Sequence, residues 1–305
     1  FSDDANGALL LEPTATNLVT YSEDFSNSSW TKSSSAVTIT SNVAPDGTIN
    51  SVYNLTGTDA NLYTGGTANI EHTISVYAKS NGQGKDNFKL RLGNSTSSSI
   101  IVTDKWVRYE LTATPTTTVF GLTVDSSPNN EFDILIWGAQ LEQNSYSSSY
   151  IKTVGTAQTR VSDYASLLNL DTNNLVTDNG SWTVLFELEL LSNESPDDKI
   201  KLTDASGAPR AYLYHSSIGV AGTDWTGGTT IPNNTNNKII YRANSTQSIT
   251  AFKNGVNSVT MTSTSTPITF NRILFYGSNG AFKIKQMQVF NTTLSDTECI
   301  NLTTI

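Results

Sequence analysis

Two glutamates placed two residues apart are the side chains of this chain best spaced for acid–base chemistry. Glu187 and Glu189 lie in the alternating run 182–190, which predicts a β-strand. On one strand they would project from the same face, about 6–7 Å apart, and a pair of carboxylates can hydrolyse a glycosidic bond. The alternative is that both only solubilise an outward face, since exposed charge is far commoner than catalytic charge.

The other arrangements that support catalysis are missing from the sequence. His72 and His215 are the two histidines, and neither lies in a spacing such as HExxH. No GxSxG turn and no phosphate-binding glycine loop before a helix occurs either. We therefore predict a protein that is not an enzyme and requires no cofactor.

Sugar binding needs aromatic rings that stack on pyranose faces and polar side chains that bind the hydroxyls. Residues of both kinds alternate along the predicted strands, so that several would share a sheet face. One alternative is that the first-half aromatics pack under a loop. For the aromatic in the glycine-rich loop 222–228 the alternatives are a lid over its own domain or a subunit contact. The candidates are Tyr77, Arg91, Trp106 and Arg108 in the first half, and Tyr212, Tyr214 and Trp225 in the second.

The composition excludes several classes of partner. The net charge is -9 and charged residues make up 15% of the chain, against about a quarter in ordinary domains. Nucleic acids and anionic lipids bind clustered Lys and Arg, so we exclude nucleic acid. No run of about 18 apolar residues predicts membrane insertion. The single cysteine, Cys299, rules out an intrachain disulfide.

Short apolar alternations separated by turn residues predict an all-β chain, with two tandem β-sandwich domains of jelly-roll type. The polar stretch after residue 153 places the boundary near Arg160, which gives domains 1–160 and 161–305. Asn254-Gly255 predicts a hairpin turn, and Ser295 with Glu298 predicts a capping box. Strands are predicted at 37–41, 51–55, 72–79, 88–92, 106–113, 119–124, 132–141, 182–190, 211–215, 238–243, 248–253, 256–261, 272–276 and 282–290.

Two blocks carry a family resemblance. The first runs from Leu9-Leu10-Leu11-Glu12-Pro13 through Thr16-Asn17-Leu18 and Tyr21-Ser22-Glu23-Asp24-Phe25 to Trp30. The second is Trp137-Gly138-Ala139-Gln140-Leu141-Glu142, followed by Ser149-Tyr150-Ile151 and Thr159-Arg160. In this order they resemble bacteriophage tail and virion-appendage proteins with a carbohydrate-binding-module-like jelly roll. The closing segment 282–302, with Leu294-Ser295-Asp296-Thr297-Glu298, resembles a concanavalin-like or laminin-G-like domain.

The resemblance implies a virion appendage, a tail fibre or decoration protein outside the cell, that adheres to host or environmental glycans. It also implies other virion proteins as partners and a homo-oligomer, with a trimer favoured. Such jelly rolls often hold a structural calcium ion, for which Glu23, Asp24 and Asp133 occupy matching places; the alternative is exposed loop carboxylates. Three other functions stay open: a structural virion connector, a carbohydrate-active enzyme or its accessory module, and a secreted bacterial adhesin.

Overall fold

The computed structural model describes residues 7–124, 130–170, 180–192, 198–214, 217–220, 230–244, 248–262 and 269–305. The chain forms two compact units. One unit, Ala15–Arg160, is called the inserted unit. The other, called the split unit, combines residues 7–14, which carry strand β1 (Leu9–Leu11), with Val161–Ile305. Both are built from antiparallel sheets, which confirms the predicted all-β sandwich class.

The strands of the inserted unit form a front layer and a back layer. The front layer runs β3-β4-β11-β5-β9, and the back layer adds β10, β6, β7 and β8 to the far half of β4. A separate ladder joins β2 to β12. These strands are β2 (Ala15–Asn17), β3 (Thr31–Thr40), β4 (Val52–Gly65), β5 (His72–Ser80), β6 (Asn87–Leu92), β7 (Ser95–Thr96), β8 (Ile100–Ile101), β9 (Val107–Ala113), β10 (Val119–Val124), β11 (Glu131–Glu142) and β12 (Gln158–Arg160).

Strands β3 and β4 pass together from one layer to the other. β4 pairs with β11 before the bend and with β10 after it. At the bend, Asp59 and Ser34 adopt positive φ angles of 51° and 55°. Gly57 is required there because a Cβ would lie 2.4 Å from the Ala60 Cβ and 2.7 Å from the Ser34 carbonyl oxygen. One bent strand pair therefore closes the core along this edge.

A bulge in β11 decides which side chains leave the core. Ile134 and Ile136 point into the core before Gly138, whereas Ala139 and Leu141 do so after it. Gly138 has a φ of 63°, the left-handed conformation that such bulges use. The bulge consequently places the side chains of Trp137, Gln140 and Glu142 together on the outside of the front layer.

The split unit packs a six-stranded sheet, β1-β22-β14-β18-β19-β20, against a five-stranded sheet, β13-β21-β15-β16-β17. Alternation along β14 sends Trp182, Val184, Phe186 and Leu188 into the core, as the sequence predicts. The strands are β13 (Tyr164–Leu167), β14 (Trp182–Leu190), β15 (Asp198–Thr203), β16 (Pro209–Tyr214), β17 (Ser217–Val220), β18 (Asn236–Ala243), β19 (Ser248–Lys253), β20 (Val256–Thr262), β21 (Arg272–Tyr276) and β22 (Phe282–Phe290).

Helix α1 (Asp296–Thr303) covers part of the outer face of the six-stranded sheet through Cys299 and its apolar neighbours. The predicted capping box is present, since the Ser295 hydroxyl accepts from the Glu298 N–H and the Glu298 carboxylate accepts from the Ser295 N–H. The predicted hairpin is confirmed as well, with positive φ at Asn254 and Gly255. Across the described part of the chain, no helix is long and apolar enough to cross a membrane.

The first described strand belongs to the split unit, although the predicted division assigned residues 1–14 to the first domain. β1 pairs with β22, with Leu9 opposite Ile284 and Leu11 opposite Phe282. Leu11 is 1% exposed inside the core of the split unit. In the sequence, the inserted unit thus lies between β1 and β13. Burial of Leu11 holds β1 against β22, the last strand of the split unit.

This division predicts that Leu11→Ala weakens the split unit. Loss of a buried leucine side chain should lower its free energy of unfolding by about 2–5 kcal/mol. Cys299 reports on this unit because its thiol is buried, and burial raises its pKa to about 11. The measurement is the denaturant concentration at which a thiol reagent labels Cys299. Leu9→Ala is the control, because the Leu9 side chain, at the start of the same strand, is 50% exposed. Unchanged labelling in Leu11→Ala would contradict the division.

Candidate functional site

Three of the four first-half candidates meet on the outside of the front layer, a surface called the outer front face. Tyr77 stands opposite Arg108 in the β5–β9 ladder, with the guanidinium carbon 5.6 Å from the ring centroid. Trp106 directly precedes β9, and the Lys79 ammonium lies 5.1 Å from its ring centroid. Arg91 does not join them, because it lies on β6 of the back layer, where its Nε donates to the Gly93 carbonyl.

The aromatic residues of this face serve packing. Trp137, which is 2% exposed, packs against the Tyr77 and Tyr150 rings at centroid distances of 5.4 and 4.6 Å. The Trp106 Nε1–H donates to the Val43 carbonyl at 2.9 Å. The geometry therefore favours the alternative in which Tyr77 and Trp106 pack beneath neighbouring segments of the chain.

The polar residues of the outer front face hold the segment that follows β11. Arg108 donates to the Ser148 carbonyl at 2.6 Å and, through two nitrogens, to the Ser75 hydroxyl. The buried Glu142 carboxylate accepts from the Gln140 amide at 2.7 Å and from the Ser148 N–H and hydroxyl. Burial raises the pKa of Glu142, and these hydrogen bonds partly oppose that rise.

Asn17 fastens the two ends of the inserted unit. Its side chain is fully buried, and its amide nitrogen donates to the carbonyls of Ala139 and Ile151. Its amide oxygen accepts from the backbone N–H groups of Val19 and Leu141. One side chain thus satisfies four backbone groups drawn from both family-resemblance blocks.

A second group of contacts extends this fastening. The Tyr150 hydroxyl donates to the Ser22 hydroxyl at 2.7 Å and to the Glu23 carboxylate at 3.1 Å. Lys152 forms an ion pair with Glu23 at 2.6 Å, and Thr153 exchanges hydrogen bonds with Ser22. We call these contacts, with those of Asn17, Gln140 and Glu142, the latch.

The three predicted calcium ligands have separate protein partners. Glu23 belongs to the latch, Asp24 accepts from Ser26 and from the Tyr53 hydroxyl, and Asp133 accepts from Asn81. Hydrogen bonds from Ser26 hold the pKa of Asp24 below its ordinary value. No three acidic, His or Cys side chains among the described residues are arranged to hold a metal ion. A structural calcium ion stays a prediction without a located site.

The split unit presents a different surface on the outside of its five-stranded sheet. Tyr164 is 59% exposed, and its ring centroid lies 5.5 Å from that of Tyr276. The Lys201 ammonium lies 5.5 Å from the Tyr276 ring centroid and 2.7 Å from the Asp198 carboxylate. Tyr212 stands opposite Lys201. We call Tyr164, Tyr212, Tyr214 and Tyr276 the tyrosine stripe.

The sheet registers bring the predicted Tyr212 and Tyr214 into this stripe. Tyr214 stands opposite Asp198, and Tyr212 stands opposite Gly219 on β17. A Cβ on Gly219 would lie 2.1 Å from the Tyr212 ring, so the glycine leaves the space that this ring occupies. Burial raises the pKa values of Tyr212 and Tyr276, so both phenols keep their protons at neutral pH.

The sequence prediction missed Tyr164 and Tyr276. Tyr276 alternates with Arg272 and Leu274 on β21, and this spacing was a usable signal for a shared outward face. Tyr164 lies in a polar stretch without strand periodicity, so only its pairing with Tyr276 reveals its position. Trp225 and His215 lie outside the described residues.

The remaining candidates for chemistry have structural partners. Glu187 and Glu189 share the outer face of the six-stranded sheet, as predicted, but Glu187 accepts from the Asn236 amide and Glu189 pairs with Lys285 at 3.6 Å. His72 is buried beside the Phe120 ring, and its Nδ1 lies 2.8 Å from the Ile70 carbonyl. These contacts tie all three side chains to neighbouring parts of the chain.

Comparisons with known proteins give only weak likenesses. No protein-family model and no curated protein matches the chain. The CBM40 domain of Ruminococcus gnavus IT-sialidase bound to α2,3-sialyllactose has a TM-score of 0.33 at 16% identity, covering 44% of this chain and 86% of that one. A Trypanosoma rangeli sialidase complexed with 2,3-difluorosialic acid has a TM-score of 0.35 at 8% identity, covering 41% and 22%. The W1252A mutant of HCR D/C VPI 5995 has a TM-score of 0.35 at 12% identity, covering 47% and 41%. At such TM-scores these likenesses carry no inference about this chain.

The latch predicts a large effect of Asn17→Ala. The change leaves four buried backbone groups without their partner, and each such group costs about 1–3 kcal/mol. The inserted unit should therefore lose several kcal/mol of stability, measured by calorimetry. Thr16→Ala is the matched control, because it removes only the exposed hydrogen bond to Thr159. Equal melting of the two variants would contradict the role given to Asn17.

Glu142 generates a prediction about pH. Because burial raises its folded pKa above the ordinary value of 4.5, the folded state prefers the protonated carboxyl. Its contribution to stability is present below the unfolded pKa and is lost as pH rises through the folded pKa. Glu142→Gln removes this loss, so its free energy of unfolding should decline less than that of wild type as pH rises from about 4.5 to neutrality.

The control for this titration is Glu71→Gln, which changes an exposed carboxylate on the same unit. Its stability should follow the pH dependence of the wild type. A Glu142→Gln variant with the same pH dependence as both would contradict the account of Glu142.

Proposed function

We propose that this protein is a non-enzymatic glycan-binding adhesin whose ligand surface is the tyrosine stripe of the split unit. The observation that carries the proposal is the exposed Tyr164 ring beside Tyr276, with the Lys201–Asp198 ion pair at its border. Pyranose rings stack on such aromatic faces, while hydroxyls bind the neighbouring polar groups. Tyr212 lies on the same face and adds a phenol that keeps its proton at neutral pH.

The inserted unit has a connecting role in this proposal. The polar side chains of its outer front face form contacts within the unit, many of them in the latch. All three guanidinium nitrogens of Arg108 donate to groups of the same unit. Tyr77 and Trp106 are half-buried in internal packing. These contacts favour a rigid spacer, with its two ends held together, rather than a second sugar-binding site.

The proposed setting is a bacteriophage virion appendage, a tail fibre or decoration protein located outside the cell. The support is the resemblance of the two sequence blocks, whose residues Asn17, Gln140, Glu142 and Tyr150 form the latch. In this setting the partners are host or environmental glycans and other virion proteins, and the protein assembles as a homo-oligomer, with a trimer favoured.

The non-catalytic part of the proposal is supported by the contacts of the paired glutamates. Glu187 and Glu189 are each engaged by a neighbouring strand, through Asn236 and Lys285. The enzymatic alternative would be favoured if the protein released reducing ends from a polysaccharide and Glu187→Gln abolished that release.

The proposal predicts that Tyr276→Ala weakens sugar binding about fivefold, since one lost aromatic stack is worth on the order of 1 kcal/mol. The measurement is a glycan array followed by titration of the best sugar, with melting temperatures checked. Trp106→Ala in the inserted unit is the control and should bind as the wild type does. Loss of binding only in Trp106→Ala would move the site to the inserted unit, and no binding at all would leave a structural protein.

A further inference from the structure

The cations beside the tyrosine stripe are neutralised by carboxylates of the same sheet. Lys201 is paired with Asp198 at 2.7 Å and Arg210 with Asp204 at 2.7 Å. All four side chains are partly buried, with the Lys201 side chain 32% exposed and the Asp198 side chain 20% exposed. An anionic ligand would therefore meet cations whose charge is already balanced by a carboxylate.

The charge of Asp198 reaches the tyrosines themselves. Burial is the main cause of the raised pKa of Tyr212, and the negative charge of Asp198 adds to it. Burial is also the main cause of the raised pKa of Tyr276, where the positive charge of Lys201 acts more strongly than the negative charge of Asp198. The Asp198 carboxylate thus lies close enough to Tyr212 to oppose a second negative charge placed beside that ring.

Arg272 is a further cation among the described residues of this face, and it lies at the opposite end of its strand from Tyr276. It is four residues from Tyr276 on β21, a distance of about 13 Å along the strand. A single sugar ring stacked on Tyr276 does not span that distance. The whole chain, with its net charge of -9, also repels anions at long range.

We infer that the tyrosine stripe selects uncharged pyranosides and rejects sugars that carry a carboxylate, and that Asp198 determines this specificity. The inference rests on the proposed function and names the class of glycan for the same site. Asp198 acts by balancing the charge of the Lys201 ammonium and by opposing anionic groups. Removing its charge should therefore convert the stripe into a surface that accepts acidic sugars.

The experiment compares Asp198→Asn with the wild type on matched pairs of neutral and acidic glycans, such as lactose and sialyllactose, and on neutral and uronic-acid oligosaccharides. The wild type should bind neutral members and not their acidic counterparts. Asp198→Asn should gain about tenfold in affinity for acidic members, because an ammonium donates strong charge-assisted hydrogen bonds to a carboxylate. Asp104→Asn, an exposed change of equal charge on the inserted unit, should leave binding unchanged.

Three outcomes overturn the inference and can be told apart. If the wild type prefers acidic sugars and loses them in Lys201→Gln, the specificity is wrong while glycan binding by the stripe stands. If neither the wild type nor Asp198→Asn binds any sugar, the proposed function fails and the inference fails with it. Equal affinity of wild type and Asp198→Asn for acidic sugars would remove Asp198 as the determinant.

Discussion

The amide of Asn17 is the interaction on which the arrangement of the inserted unit depends. A buried amide costs free energy unless each polar atom forms a hydrogen bond. The Asn17 amide donates two hydrogen bonds and accepts two, and its backbone partners lie in the first and last segments of the unit. Gln140 and Glu142 continue this pairing toward Tyr150 and its neighbours. The bulge at Gly138 is what turns their side chains to the outside of the sheet, where the closing segment lies.

The outer sheet surfaces of the two units differ in what their side chains contact. In the inserted unit, aromatic and polar side chains on the outer front face contact the segment that follows β11. Most of their hydrogen-bonding groups therefore already have partners within the unit. In the split unit, helix α1 covers apolar side chains on the six-stranded sheet, while the tyrosine stripe on the five-stranded sheet keeps an exposed ring at Tyr164. Aromatic and polar residues thus stabilise the fold in one unit and include an exposed ring in the other.

Sequence patterns predicted what depends on local chemistry. The alternation of β14, the Asn254-Gly255 hairpin and the Ser295 capping box each follow from residues close together in the chain, and each is confirmed. Features set by distant pairing were missed. Residues 57–61 have the composition of a turn, yet they form the bend of β4, and Leu11 belongs to the split unit because of a partner near residue 282. Arg91 failed as a site residue for the same reason, since periodicity does not reveal to which layer β6 belongs.

We propose that the tyrosine stripe, and not the outer front face, receives the ligand. This is tested by a crystal structure of the intact chain soaked with the sugar that binds most strongly on an array. A pyranose ring should lie stacked on Tyr276 or Tyr164, with hydroxyls near Lys201 and Tyr212. A sugar seated against Trp106 and Tyr77 instead, with the stripe empty, would contradict it.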